Sequence, residues 1–285
     1  MEKLLVCTDG SHDSEVCYAY AAWLAKRTHA LIDVLYVSDL RQFEMSMVTD
    51  FSGSLGVQPF QGVFSQLQDI EKEKTKLIGS RVHKVFKKYG IEEDRVKFHQ
   101  RTGFLTDCFE EFSEDTEGFD VICLGKRGEN ARIATEHLGS TMERVIRSAT
   151  KPCLVTPRKF HDIQRVLIAY DGSPSVNRAI QFLTRSEMFK EMEFHLITCS
   201  NEEDRGSNVL LLKKAVDSLE SAGYKIQSHL MIGEPGDVIE KYVVDKDVHL
   251  LIMGAYGHGV IRHLIIGSTT TDLIRRCHVP ILLFK

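Results

Sequence analysis

Short apolar runs alternate with amphipathic stretches along the whole chain. Runs such as 250–253 have the length of buried strands, whereas 15–26 carries apolar residues at helical spacing. The pattern predicts strands at 4–8, 30–37, 96–100, 121–124, about 152–156, 166–169, 193–198, 226–231, 250–253 and 281–284, and helices at 15–26, 69–89, 105–113 and 269–276. Strands that alternate with helices favour an α/β fold, a parallel sheet with helices on both faces.

This order of elements occurs twice, which indicates two tandem copies of one five-stranded domain. Five segments match in the same order: 3–11 with 165–173, 99–103 with 229–233, 120–125 with 249–254, 139–141 with 267–269, and 151–155 with 279–283. The predicted domains are residues 1–157 and 163–285, with the junction near 156–162.

The first copy is longer than the second. Asp9 and Asp171 are 162 positions apart, but Pro152 and Pro280 are only 128 apart, so the first copy has about 34 additional residues. They fall after its second strand, at about 39–70, and predict a long loop or lid that includes a helical turn at most. Long loops in compact domains are either functional or disordered, and the sequence leaves both open.

Glycines follow the fourth strand of the second copy at a regular spacing. Gly254 and Gly257 enclose two residues, and nine more precede the pair Gly267-Ser268, which opens the last helix. Glycine allows backbone N–H groups close to a ligand, and the first turn of a helix attracts anions. No carboxylate occurs from 254 to 271, while His258 and Arg262 either add positive charge or point to solvent. The stretch predicts a phosphate cradle.

This glycine pattern between two strands resembles the nucleotide-binding signature of the universal stress protein A family, in its ATP-binding branch. The whole chain resembles a tandem member of that family. The resemblance implies a Rossmann-like strand order 3-2-1-4-5 in each copy and a cytoplasmic protein that regulates stress responses by binding ATP or another adenine nucleotide, alone or with Mg²⁺. It also implies that the last strands of the two copies pair as an internal pseudo-dimer, and that two chains can pair further as a homodimer.

The same resemblance implies the binding residues of the second copy. The base lies near Ala169, Tyr170 and Asp171 and meets the backbone around Thr198, and the triphosphate lies over 254–268. The implied cofactor-binding set is Ala169, Tyr170, Asp171, Thr198, Met253, Gly254, Gly257, Gly267, Ser268 and Thr269.

The first copy keeps a weaker version of this site. Its corresponding residues are Asp9, Val37, Gly125, Gly128, Gly139 and Ser140. Ten residues instead of nine precede Gly139, Glu129 and Glu136 add acid, and Ser140 and Glu143 have the spacing of a capping box. Lys126, Arg127 and Arg132 add opposing positive charge, and Phe104 stands where the second copy has Glu234. We expect the second copy to hold nucleotide better, and the first to be degenerate or adapted to another ligand.

Composition changes this picture little. The net charge of -4 and a pI near 6.3 give no electrostatic reason to expect nucleic acid as a partner. No apolar run reaches 18 residues, so we expect no membrane span, and the strand-like N-terminus predicts no signal peptide. Seven cysteines without a Cys-x-x-Cys pair indicate buried reduced thiols in a cytosolic protein.

Dedicated catalysis has little support in the sequence. It contains no Walker motif, no His-Glu-x-x-His and no Gly-x-Ser-x-Gly elbow, and His258 and His263 are five apart, one off the helical spacing for a shared metal. We therefore expect no catalytic residue and no metal site. A nucleotide-gated regulatory protein is the first hypothesis. The alternatives are a slow ATP-hydrolysing enzyme, and a carrier or scaffold that binds an apolar ligand in the first copy under the 39–70 insert.

Overall fold

A computed structural model describes residues 1–11, 14–38, 60–115, 118–126, 140–255 and 266–285, without the side chains of 60–64, 115, 140 and 141. The first copy consists of β1 (Lys3–Thr8), α1 (Ser14–Thr28), β2 (Leu31–Ser38), α2 (Phe60–Lys88), β3 (Val96–Thr102), α3 (Leu105–Asp115), β4 (Val121–Gly125), α4 (Ser140–Ser148) and β5 (Cys153–Thr156). The second consists of β6 (Arg165–Ala169), α5 (Pro174–Thr184), β7 (Glu193–Ser200), α6 (Arg205–Ser221), β8 (Ile226–Ile232), α7 (Pro235–Asp245), β9 (Leu250–Gly254), α8 (Ser268–Arg276) and β10 (Ile281–Phe284).

The ten strands form one continuous sheet in the order β3-β2-β1-β4-β5-β10-β9-β6-β7-β8. Each half has the predicted order 3-2-1-4-5, and all pairs within a half are parallel. The α/β fold class is therefore confirmed.

The two halves join through their last strands, as the resemblance implied. β10 pairs with β5 in antiparallel fashion, with Ile281 opposite Val155 and Leu283 opposite Cys153. All eight residues of the two strands are buried, so the junction is part of the core. The paired β5 and β10 make the two copies one sheet rather than two domains on a linker.

Helices cover both faces of this sheet and divide its core in two. One apolar cluster lies under α1, α2, α5 and α6, and the other lies under α3, α4, α7 and α8. The connecting segment after β5 is tied to α1, because the Trp23 indole N–H donates to Asp162 Oδ1 at 2.6 Å and the Phe160 ring lies 4.8 Å from that of Tyr20.

One element differs from the sequence-based prediction. The second helix was expected to begin at Asp69, and residues up to 70 were expected to form a loop or lid with at most a helical turn. In the structure α2 begins at Phe60, so 60–70 is three turns of regular helix, whereas 39–59 lies outside the described residues. The absence of glycine and proline from 63 to 78 allows the helix to propagate that far. Among the described helices, none combines the length and apolar character needed to cross a membrane.

Candidate functional site

The strand order of the second copy reverses at β6, because β7 pairs with it on one side and β9 on the other. In open parallel sheets, ligands bind beyond the carboxyl ends of the strands at such a switch point. Asp171 follows β6 and Gly254 ends β9, so the residues predicted to lie near the base and the phosphates are at this edge. The first copy has the same arrangement around β1, between β2 and β4.

A tight turn holds Asp171 at the end of β6. Its Oδ1 accepts the Ser173 N–H at 2.9 Å, and Gly172 has a φ of 73°, which favours glycine. Ser173 then caps α5 by accepting the Val176 N–H, and Pro174 takes the first helical position. The Asp171 side chain itself is exposed at the crevice.

Gly254 allows the glycine loop that follows β9 to start close to α5. A Cβ on Gly254 would lie 2.9 Å from Ser175 Oγ and 3.4 Å from Ser173 Oγ, so any side chain would push the loop away from this helix. The loop also closes on itself, because Gly254 O accepts the Thr270 hydroxyl at 3.2 Å and Ala255 O accepts the Gly267 N–H at 3.2 Å. The predicted residues Gly257, His258, Arg262 and His263 lie outside the described residues.

The last helix begins beside this loop with an open first turn. Gly267 is the N-cap residue of α8 and, as a glycine, has no side chain that could accept a hydrogen bond at this cap. Ser268 is exposed and Thr269 is half-buried. The first N–H groups of a helix have no intrahelical acceptor, so this turn is suited to an anion.

Tyr170 follows β6 but directs its ring into the core. The ring is 6% exposed, and its hydroxyl donates to Asn177 Oδ1 on α5 at 2.8 Å. Its N–H donates to Ile197 O at 2.8 Å. The bulk of this tyrosine is therefore accommodated in the core beside α5.

Three other predicted residues lie at the ends of the same strands. Thr198 is 3% exposed, and its Oγ1 has no hydrogen-bond partner among the described residues. Ala169 is half-buried, and Met253 is buried in the core on the α7 and α8 side.

The offset between the copies also revises one pairing. Val37 and Thr198 were predicted as base-site residues, but they are not equivalent, because the 162-residue offset matches Val37 with Cys199 and Tyr36 with Thr198. Cys199, which the sequence reading missed, is half-buried at the penultimate position of β7. Burial, and secondarily the negative charge of Glu234, raises the pKa of Cys199 to about 11, so its thiol is neutral at physiological pH.

The aspartate of the first copy that corresponds to Asp171 is Asp9. Asp9 Oδ1 accepts both the Ser11 N–H at 2.9 Å and the Ser14 hydroxyl at 2.7 Å. Ser14 corresponds to Val176 in the second copy, which has no hydroxyl to donate. Asp9 is therefore tied to its own helix α1 through the Ser14 hydroxyl.

Two charged residues of the first copy have partners that the sequence did not predict. Lys126 was expected to add charge to the first glycine loop, but its Nζ donates to Arg275 O at 2.7 Å and Cys277 O at 3.0 Å, at the carboxyl end of α8. Glu143, the expected capping-box residue, lies 3.9 Å from Arg147.

The remaining members of the weaker site are only partly described. Gly125 ends β4 and is half-buried, and Ser140 begins α4. Gly128 and Gly139 lie outside the described residues.

No other cluster of chemical groups competes with this edge of the sheet in the part of the chain that the structure describes. That part contains no group of three or more His, Cys, Asp and Glu side chains placed to hold a metal. All seven cysteines are free thiols, and five of them are buried.

The sequence comparisons agree with the fold and with the duplication. The Universal stress protein family matches residues 1–157 and again 162–285. The universal stress protein Slr1230 of Synechocystis sp. is 41% identical over 292 residues, which covers 100% of both chains. Universal stress protein G of Salmonella typhimurium is 39% identical over 67 residues, 24% of this chain and 45% of its own length.

Among solved structures, a universal stress protein from Archaeoglobus fulgidus superposes with a TM-score of 0.71. It shares 23% sequence identity, and the match covers 99% of this chain and 98% of that one, so it supports the fold of the whole duplicated chain. Two family matches in tandem and a full-length relative above 40% identity lead to one conclusion. The chain belongs to the universal stress protein family, as a tandem member with two copies of the domain.

Proposed function

We propose that this protein binds ATP or a closely related adenine nucleotide in its second copy, residues 163–285, and acts as a nucleotide-gated regulator in the cytoplasmic stress response. The observation that carries the proposal is the meeting of Gly254 with the open first turn of α8 at the switch point beside Asp171. Phosphates would lie on the α8 turn and the glycine loop, with Mg²⁺ if they carry it, and Asp171 would accept the ribose hydroxyls.

Two contacts favour the second copy over the first. Asp9 accepts the Ser14 hydroxyl, a donor that the second copy replaces with Val176. Lys126, the cation nearest the start of the first glycine loop, is turned towards α8. In the first copy, Asp9 is therefore tied to α1 and Lys126 to α8, which leaves both side chains less available to a ligand.

Calorimetric titration of the pure protein with ATP tests the proposal. We expect one tight site per chain. Gly257→Asp should lower affinity about 100-fold or more, because it places a carboxylate where phosphate lies. The matched Gly128→Asp in the first copy should leave total binding nearly unchanged.

Three outcomes would change the conclusion. Absence of ATP binding by the wild-type chain would refute the proposal, and equal losses from both variants would show that the first copy binds as well. Rapid multiple turnover of ATP with Mg²⁺ would replace the regulatory function with an enzymatic one.

A further inference from the structure

The two copies differ at the carboxyl ends of their second and third strands. The first copy has Val37 and Phe104 there, and the second has Cys199 and Glu234. Phe104 and Glu234 are structurally equivalent, because each accepts an N–H from the first turn of the following helix: Cys108 to Phe104 O at 2.9 Å, and Val238 to Glu234 O at 3.0 Å. The residue between the third strand and the following helix is therefore apolar in the first copy and acidic in the second.

Glu234 lies next to the end of β7. The Gly233 N–H donates to Ser200 O at 3.3 Å, which brings the start of α7 against the last residue of that strand. The carboxylate is close enough to Cys199 for its charge to disfavour the thiolate there. Glu234 is exposed, and although it is the N-cap residue of α7, its side chain makes no capping hydrogen bond.

Position along the sheet edge relates Glu234 to the proposed nucleotide. The strands at this edge follow the order β9, β6, β7, β8. In the proposed site the phosphates lie over the end of β9, and the ribose lies at Asp171 after β6. The base therefore points towards the end of β7. Glu234 follows β8, the next strand in this order. β8 lies three strand spacings, or about 14 Å, from β9. The base edge farthest from the phosphates is thus the part of the ligand that faces this carboxylate.

We propose that Glu234 is a specificity-determining residue that selects a purine with an exocyclic amine at position 6. This inference rests on the proposed function. A carboxylate only accepts hydrogen bonds, so it accepts one from the amino group of adenine and repels the carbonyl oxygen that hypoxanthine carries at the same position. Phe104 has no acceptor on its side chain, so the first copy cannot make this distinction.

Titration with ATP and ITP, two ligands that differ at this position of the base, tests the inference. We expect the wild-type protein to prefer ATP about tenfold, as for one charge-assisted hydrogen bond at an exposed site. Glu234→Phe, which installs the side chain of the first copy, should bring the ratio of the two dissociation constants close to one. Glu234→Gln should give an intermediate ratio, because an amide accepts as well as donates.

The controls separate this inference from the proposed function. Phe104→Leu, at the matched position of the first copy, should leave the ATP to ITP ratio unchanged. Glu234 is exposed, so thermal melting of its variants should match that of the wild type. Tight ATP binding with the same ratio in wild type and Glu234→Phe would overturn the role of Glu234 while leaving the proposed function intact. A wild-type chain that binds neither nucleotide would overturn both.

Discussion

Thr8 and Tyr36 lie opposite each other at the ends of β1 and β2. The equivalent positions in the second copy carry the same two residue types exchanged, as Tyr170 and Thr198. Tyr36 donates its hydroxyl to Glu71 on α2 at 2.6 Å, whereas Tyr170 donates its hydroxyl to Asn177 on α5. Each copy thus has one tyrosine at this pair of positions, on a different strand, and the two hydroxyls bond to different helices.

This exchange predicts strong coupling between positions 170 and 198. Thr198→Tyr alone should overpack the second copy and lower the free energy of unfolding by about 1–3 kcal/mol. Tyr170→Thr alone should leave a cavity and cost about 3 kcal/mol. In the double variant the new tyrosine can occupy the vacated space, so urea unfolding should give a loss at least 1 kcal/mol smaller than the sum. Strictly additive losses would show that the two side chains do not share one space.

ATP affinity should depend on Gly254, because a residue with a side chain would not fit at this position. Gly254→Ala places a Cβ 2.9 Å from Ser175 Oγ, so the loop must move away from α5 and ATP affinity should fall about tenfold, with an overpacking cost near 1 kcal/mol. Adding Ser175→Ala removes that oxygen and should restore part of the affinity. Calorimetric titration of the single and double variants measures this. No recovery in the double variant would mean that the contact with Ser175 is not what limits the loop.

Lys126, which belongs to the first copy, should stabilise helix α8 of the second copy. Its ammonium group donates to the last carbonyls of α8, where a positive charge also favours the helix dipole. Lys126→Met should therefore lower the free energy of unfolding by about 0.5–1 kcal/mol. For a chain of this size the melting temperature should drop by about 2 °C.

Lys126→Arg is the matched variant, because it keeps the charge and the donors. It should retain most of the wild-type melting temperature. A Lys126→Met protein that melts like the wild type would show that solvent satisfies the α8 carbonyls equally well.

Buried thiols predict a loss of stability in alkali. Burial raises the pKa of Cys17 from about 9.0 to about 12, although a hydrogen bond with Thr156 acts in the opposite direction. The folded state keeps the thiol neutral while the unfolded chain ionises above pH 9. This contribution to stability is therefore complete below pH 9 and is lost as the pH rises towards 12.

Cys17→Ala isolates this effect from the other groups that titrate in alkali. Between pH 9 and 11 the free energy of unfolding of the wild type should fall more steeply than that of the variant, by up to about 1.4 kcal/mol per pH unit. Urea unfolding at a series of pH values gives both slopes. Parallel slopes would indicate that Cys17 has an ordinary pKa in the folded state.

The sequence by itself determined the duplication and the class of the fold, and it predicted the region of the candidate site. Apolar runs of strand length, Asp-Gly-Ser after the first strand of each copy and the glycines after the fourth strand are local patterns, because each reflects the conformation of a few consecutive residues. These patterns therefore identified Asp171, Gly254 and Ser173 in their structural roles, and the resemblance they carry led to the correct strand order.

Only the tertiary structure decided which partners these residues have. The Lys126 contact with Arg275 spans 149 positions, and the placement of Tyr170 beside Thr198 depends on two strands side by side. Likewise, α2 reaches back to Phe60 although the polar and apolar pattern of 60–68 did not distinguish helix from loop. Such relationships follow from packing across the sheet, where residues far apart in the chain compete for one volume or one donor, and local spacing carries no information about that competition.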